Sequence, residues 1–124
     1  MMDTKELEIN LLKKKGYYIA EIDGLECKNL NSCLDKIAEA FRFPEYYGHN
    51  GAAFRECIND LDWIEMDNYA LVIKNSRFLI VESNDDKEYF KSLLEEVTFE
   101  WANVPNYNGE EIYRKKSDFL VLYY

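Results

Sequence analysis

The segment that decides the interpretation of this chain spans residues 43–61 and reads FPEYYGHNGAAFRECINDL. Asn50 suits a helix N-cap, because its side chain can accept a hydrogen bond from a free backbone N–H of the first turn. The apolar spacing that follows predicts a helix reaching about Leu61. One face of this helix is apolar and should pack inward: Ala53, Phe54, Cys57, Ile58 and Leu61. The opposite face is small, hydrogen-bonding and net negative: Ala52, Arg55, Glu56, Asn59 and Asp60.

Acidic side chains dominate the surroundings of this helix. Between residues 44 and 68 there are six acids and a single base, Arg55, which gives a local balance of −5. Tyr46 and Tyr47 precede the helix, and tyrosine is favoured at interfaces because it is apolar at one end and hydrogen-bonds at the other. Taken alone, these observations favour an ordinary solvated helix face, with two tyrosines that help the core, over a binding surface.

Composition limits the classes of protein to which the chain can belong. Its 124 residues, 48% of them hydrophobic, suit one domain over 1–124 that needs no disulfide or metal. Its net charge of −9 disfavours direct nucleic-acid binding and would steer it toward a basic surface. Neither a membrane span nor a secretory signal is predicted. The three cysteines (Cys27, Cys33 and Cys57) favour reduced, buried thiols in a cytoplasmic protein.

Helix and strand patterns alternate along the chain. The predicted strands are 17–24, 69–74 and 119–124. Four helices are predicted. The first spans 3–15 and the last spans 85–102. Between them, one helix is capped by Asn31 or Ser32 and ended by Pro44, and the next begins after Asn50. The last helix carries a single apolar stripe: Phe90, Leu93, Leu94, Val97 and Trp101. Residues 77–82 are ambiguous between strand and helix, and residues 103–116 are predicted to form a loop. Strands separated by helices imply parallel pairing.

The segment 43–64 resembles the binding segment of the barstar family. The resemblance rests on Pro-Glu-Tyr-Tyr-Gly-x-Asn at 44–50 and on the acid-Cys-apolar stretch of the helix after it. Weaker similarity in order and spacing extends over about 17–124, including 61–64, 70–75, 93–101 and 119–122. The resemblance implies an α/β fold, a three-stranded parallel sheet packed with about four helices. It also implies a short helix at 77–82. The helix predicted at 3–15 adds a short N-terminal helical extension over 1–15.

The same resemblance implies a function. It predicts an intracellular immunity-type inhibitor, not an enzyme, that blocks the active site of a cognate basic ribonuclease toxin. Tyr46 and Glu56 correspond to the tyrosine and the helix acid that inhibitors of this family use, the acid lying where a substrate phosphate would bind. The expected partner-binding residues are Tyr46, Tyr47, Gly48, His49, Asn50, Ala52, Arg55, Glu56, Asn59, Asp60, and Glu95 or Glu96 on the last helix. We expect a free monomer that forms a 1:1 complex, without a cofactor.

Three features depart from the family pattern. Gly51 and Ala52 stand where an apolar residue and an aspartate are usual, Arg55 replaces a large apolar residue, and Glu56 is one methylene longer than aspartate. These changes are compatible with a different toxin, because specificity depends on a few such contacts. The missing acid at Ala52 also supports an alternative, a non-inhibitory interaction or homo-oligomer module with the same fold.

Other chemistries have weaker support. His49 is the only histidine, and for it we favour a structural or neutral role over a pH response. The acids between 60 and 67 could bind Mg²⁺ or Ca²⁺, but they lack the EF-hand pattern. A transition-metal site lacks a second histidine or a partnered cysteine. We therefore predict no metal site and no catalytic residue, and treat an acidic metal-dependent hydrolase as a third possibility.

Overall fold

The computed structural model describes residues 3–103 and 116–124, and its architecture is the predicted α/β fold. The strands are β1 (Tyr17–Asp23), β2 (Asn68–Lys74) and β3 (Phe119–Tyr123). The helices are α1 (Thr4–Lys14), α2 (Leu30–Ala40), α3 (Gly51–Ile58) and α4 (Asn84–Ala102), with 3-10 turns at Gly24–Glu26 and Ser76–Phe78. The strands pair in parallel in the order β1-β2-β3, as strands separated by helices require.

The central strand β2 is buried on both faces, as its nearly continuous apolar run predicts. Tyr18 of β1 pairs with Tyr69, and Tyr69 pairs with Phe119 of β3, so the register is continuous across the sheet. The predicted stripe of α4 is buried from Phe90 to Trp101. Each large apolar side chain removed from water stabilises the fold by about 1.5–3 kcal/mol.

Two indole hydrogen bonds fix the position of α3 against this core. Trp101 Nε1 donates to the carbonyl of Ile58, the last residue of α3, at 3.0 Å. Trp63 Nε1 donates to the carbonyl of Phe41, just after α2, at 2.8 Å. The segment that carries the candidate site is therefore held at its end by α4 and at its following turn by the end of α2.

The predicted start of α2 was wrong. Asn29, not Asn31 or Ser32, is the N-cap, because its Oδ1 accepts from the backbone N–H of Ser32 at 2.9 Å. Ser32 accepts in return from the backbone N–H of Asn29, which completes a capping box. The end of α2 also precedes Pro44: the helix stops at Ala40, since Arg42 adopts a left-handed φ of 54°. The bond from Phe43 N to Ala38 O then closes the turn.

Residues 77–82 form neither a strand nor a helix of that length. Only the 3-10 turn Ser76–Phe78 is helical, and a turn follows it. The backbone N–H of Ile80 donates to the carbonyl of Cys27 at 2.7 Å, so the chain is tied to a neighbouring segment instead of continuing a helix. The helix 3–15 and its glycine terminator are confirmed, with Gly16 at φ +88°. The loop predicted at 103–116 lies, apart from its two ends, outside the described residues.

Candidate partner-binding site

The two adjacent tyrosines of the loop point in opposite directions. Tyr47 is only 6% exposed, and its ring meets Phe43 edge-on at 5.1 Å between centroids. Phe43 in turn packs against Phe54 of α3 and against Trp63. Burial raises the pKa of the Tyr47 hydroxyl, which has no hydrogen-bond partner among the described residues. Tyr47 therefore anchors the loop to the core, whereas its predicted contact with a partner would require an approach to a buried ring.

Tyr46 is 74% exposed and projects from the loop beside the acids of α3 and of the turn after it. The pKa of its phenol is raised, first by desolvation, then by Cys57 and by the nearby carboxylates of Asp60, Asp62 and Glu56. These carboxylates therefore lie close enough for their electric field to act on the hydroxyl. We call Tyr46, Glu56, Asp60 and Asp62 the acidic face.

The N-terminus of α3 has the predicted cap and holds this face in place. Asn50 Oδ1 accepts from the backbone N–H of Ala53 at 2.8 Å, and its Nδ2 donates to the carbonyl of Gly48 at 3.3 Å. His49, the residue before this N-cap, has a left-handed φ of 53°. The helical period then buries one side of α3 and leaves Ala52 and Glu56 exposed, as the sequence predicts.

Arg55 takes part in a contact between two helices that the sequence analysis did not foresee. Its Nη1 donates to Glu96 Oε2 on α4 at 2.5 Å, and the two side chains are 41% and 54% exposed. The hydrogen bonds that Arg55 donates to Glu96 and to the Tyr89 oxygen raise the pKa of Arg55. A Cβ added to Gly51 would lie 3.6 Å from that hydroxyl, so Tyr89 also borders the start of α3. We call Arg55, Tyr89 and Glu96 the α3–α4 seam.

Tyr89 was missed, although a signal for it existed. Tyr89 and Glu96 are seven residues apart on one helix and therefore share a face. The same geometry separates the two candidate acids of α4. Glu96 reaches α3, whereas Glu95 lies in a different groove, with Lys91 and with Tyr123 of β3. The structure therefore brings Glu96 to the candidate site and does not bring Glu95 there.

His49 is tied to α2 on the other side of the loop. Its Nδ1 lies 3.0 Å from Asp35 Oδ1, and its ring centroid lies 4.7 Å from that of Tyr47. A groove of about 590 Å³ runs between α2 and the loop, past Asp35, Arg42 and His49. His49 thus helps to connect the loop with α2, which fits the structural role favoured from the sequence.

Within residues 3–103 and 116–124, no group of three or more histidine, cysteine or acidic side chains is arranged to hold a metal ion. In that same part of the chain, no helix combines the length and the apolar character that crossing a membrane requires. All three cysteines are free, and their predicted burial is confirmed. The acidic face and the α3–α4 seam present carboxylates, phenols and one paired guanidinium at the surface. These are chemical groups through which a protein can bind another molecule.

Comparison with known proteins identifies the family of the chain. YrdF of Bacillus subtilis (strain 168), which is named provisionally as a ribonuclease inhibitor, is 33% identical over 57 residues. That match covers 46% of this chain and 59% of YrdF, so it spans little more than half of the relative. Residues 17–122, which hold β1, β2, α2, α3, α4 and all but the last residue of β3, match the family described as Barstar (barnase inhibitor). The chain therefore belongs to the barstar family.

Proposed function

We propose that this chain is an immunity protein that binds a cognate basic ribonuclease toxin and blocks its active site. The observation that carries the proposal is the acidic face, where an exposed phenol and a helix-borne carboxylate lie together at the surface. Family membership supports ribonuclease inhibition in general, and the name given to YrdF points the same way. On this proposal the chain is a binding protein of the cytoplasm, not an enzyme, and needs no cofactor.

The acidic face would act by imitating RNA. A ribonuclease cleft concentrates positive charge where the phosphate of its substrate binds, and the carboxylate of Glu56 would occupy that position. Because α3 is capped at Asn50 and anchored by Trp101, the carboxylate is presented on a backbone that needs little ordering on binding. Hydrogen bonds between ionised partners are shorter and stronger than neutral ones, and exclusion of water strengthens them further.

Tyr46 would supply the apolar part of the contact. An exposed tyrosine beside charged groups is a typical interface anchor, since its ring offers contact area at a small cost in side-chain entropy. The buried Tyr47 holds the backbone next to Tyr46, so the anchor is presented from a fixed loop. Tyr46 would thus contact the partner, and Tyr47 would support the loop that presents it.

The α3–α4 seam would select among ribonucleases. Arg55 is already paired with Glu96, so a partner that places a cation there would have to displace a guanidinium or meet its repulsion. A partner that offers an uncharged acceptor such as a carbonyl to Arg55 would meet no such barrier. We therefore expect a cognate toxin that is basic opposite the acidic face and neutral opposite the seam.

The proposal is tested by mixing the purified chain with barnase and with any small basic ribonuclease encoded beside its gene, and by measuring RNA cleavage. Stoichiometric inhibition of the neighbouring ribonuclease, as a 1:1 complex of a free monomer, is the expected result. Association should be fast and should slow as salt is added, because charge steers the encounter. A stable homodimer that buries residues 46–60, without inhibition of any such enzyme, would instead support the interaction-module alternative.

A further inference from the structure

A basic groove lies on the side of α4 opposite to the α3–α4 seam. It has a volume of about 360 Å³ and runs between the 3-10 turn at Ser76–Phe78, the N-terminal half of α4 and the end of β3. The side chains that line it and matter here are Ser76, Arg77, Lys87, Lys91, Glu95 and Tyr123. None of them belongs to the acidic face or to the seam.

The charge of this basic groove is opposite to that of the chain. The protein carries a net charge of −9, yet three cations and one carboxylate line the groove, for a local balance of +2. Within the described residues, none of the ion pairs involves Arg77, Lys87 or Lys91. A concave site lined by one sign of charge concentrates the field and attracts counter-ions.

The cations are also positioned at some electrostatic cost. Lys87 and Lys91 are four residues apart on α4, a spacing at which like charges repel each other and destabilise a helix. Both lysines are partly buried and line the groove, as expected of side chains whose apolar stems lie along the protein surface. An anion bound between them would remove this repulsion.

The turn opposite α4 is held by hydrogen bonds, and it carries the third cation, Arg77. Asn75 adopts a left-handed φ of 51°, and its Nδ2 donates to Asp23 Oδ1 at 3.0 Å. The backbone N–H of Ser76 donates to a main-chain oxygen of Tyr124 at 2.9 Å, so this amide is occupied and the Ser76 hydroxyl is the donor left for a ligand. The guanidinium of Arg77 lies 4.8 Å from the ring centroid of Phe78.

We propose that the basic groove binds a phosphate group, held by Arg77, Lys87 and Lys91 with hydroxyl donors from Ser76 and Tyr123. The groove lies where β2 and β3 end, and ligands of open parallel sheets bind outside the carboxyl ends of the strands. Its donors can serve several oxygens of one phosphate, whereas Glu95 is the single lining group that would repel the anion. This site is separate from the proposed ribonuclease-binding face and does not depend on it.

The probe for a direct test is inorganic pyrophosphate, added to the full chain at low ionic strength and followed by backbone amide chemical shifts. We expect a saturable 1:1 response with a Kd below about 1 mM, centred on residues 76–78 and 87–95. The double variant K87Q/K91Q should weaken binding about tenfold or more, because it removes two charged donors. Glu95→Gln should strengthen binding, an effect in the opposite direction that a merely disturbed fold would not produce.

A matched control and a second ligand complete the design. The variant K13Q/K14Q removes the same charge from the last turn of α1 and should leave the affinity unchanged. Parallel titrations with inorganic phosphate and with a nucleoside 5′-monophosphate show whether the phosphate alone or a nucleotide is bound. The proposal is overturned if pyrophosphate gives no saturable response, if the α1 control loses as much affinity as K87Q/K91Q, or if Glu95→Gln weakens binding.

Discussion

Arg55 of α3 and Glu96 of α4 form an ion pair at 2.5 Å, although 41 positions separate them in the sequence. The pair joins the helix that presents the acidic face to the longest helix of the fold. It also converts two groups that would otherwise face a partner as separate charges into one neutral unit. The departure of Arg55 from the apolar residue usual in the family thus has a structural consequence, a seam that a partner must accommodate.

This pair should contribute little to folding, because both side chains are well exposed to water. We expect Glu96→Gln and Arg55→Met each to lower the free energy of unfolding by less than about 1 kcal/mol, with a coupling between them of about 0.2–1 kcal/mol. Urea denaturation of the two single variants and the double variant, at low and at high salt, measures this coupling. A coupling above about 2 kcal/mol that persists at high salt would show that the seam is a structural support instead.

Two glycines should respond in opposite ways to substitution by alanine. A Cβ on Gly24 would lie 2.2 Å from the backbone carbonyl oxygen of Asn75, so Gly24→Ala must push apart the turns after β1 and β2. We expect a loss of about 1–3 kcal/mol in the free energy of unfolding. A Cβ on Gly51 meets only the Tyr89 hydroxyl at 3.6 Å, so Gly51→Ala should be neutral or stabilising by up to about 1 kcal/mol.

Chemical denaturation of the two alanine variants under identical conditions provides the comparison. Equal destabilisation would contradict the close approach of the turns at Gly24. Because Asn75 precedes Arg77, Gly24→Ala should also weaken pyrophosphate binding in the basic groove, while Gly51→Ala should not.

Much of this architecture follows from local pattern. The period of 3.6 residues separates the buried side of α3 from its exposed side, and the apolar run of β2 predicts its burial on both faces. The start of α2 was less predictable, because Asn29, Asn31 and Ser32 are all good caps and only the reciprocal bonds of Asn29 and Ser32 decide between them. Local pattern therefore identifies elements better than it identifies their ends.

The candidate site was predictable only in part. Tyr46 and Tyr47 are adjacent in an irregular loop, where no periodicity tells an inward ring from an outward one. The partner of Arg55 lies on another helix, so its identity depends on tertiary packing that the order of residues does not reveal. Glu95 and Glu96 differ by one position, yet a rotation of about 100° along α4 sends them to different grooves.

The pKa of the Tyr46 phenol should depend on the charges of the acids around it. Because its pKa is raised in part by Asp60, Asp62 and Glu56, Asp60→Asn and Glu56→Gln should each lower the pKa of Tyr46 toward its ordinary value. The sign follows from charge: a nearby carboxylate disfavours the phenolate, so its removal makes ionisation easier. NMR titration of tyrosines labelled at Cζ, assigned with a Tyr46→Phe variant, measures the change.

Glu6→Gln on α1 is the matched control for this titration, since it removes the same charge from an exposed position outside the family-matched region. This control substitution should leave the pKa of Tyr46 unchanged. An unchanged Tyr46 titration in both Asp60→Asn and Glu56→Gln would mean that the acidic face is not a single electrostatic unit.

The central claim, that Glu56 imitates a phosphate with Tyr46 as its anchor, is tested most directly by the affinity of Glu56→Gln for the ribonuclease that the wild-type chain inhibits. Glu56→Gln keeps the shape of the side chain and removes its charge, so loss of a charged hydrogen bond should weaken the complex about 10- to 100-fold. Tyr46→Ala should also weaken the complex, and Glu6→Gln should leave the affinity unchanged. If Glu56→Gln and Tyr46→Ala both bind as tightly as the wild type, the acidic face is not the inhibitory surface.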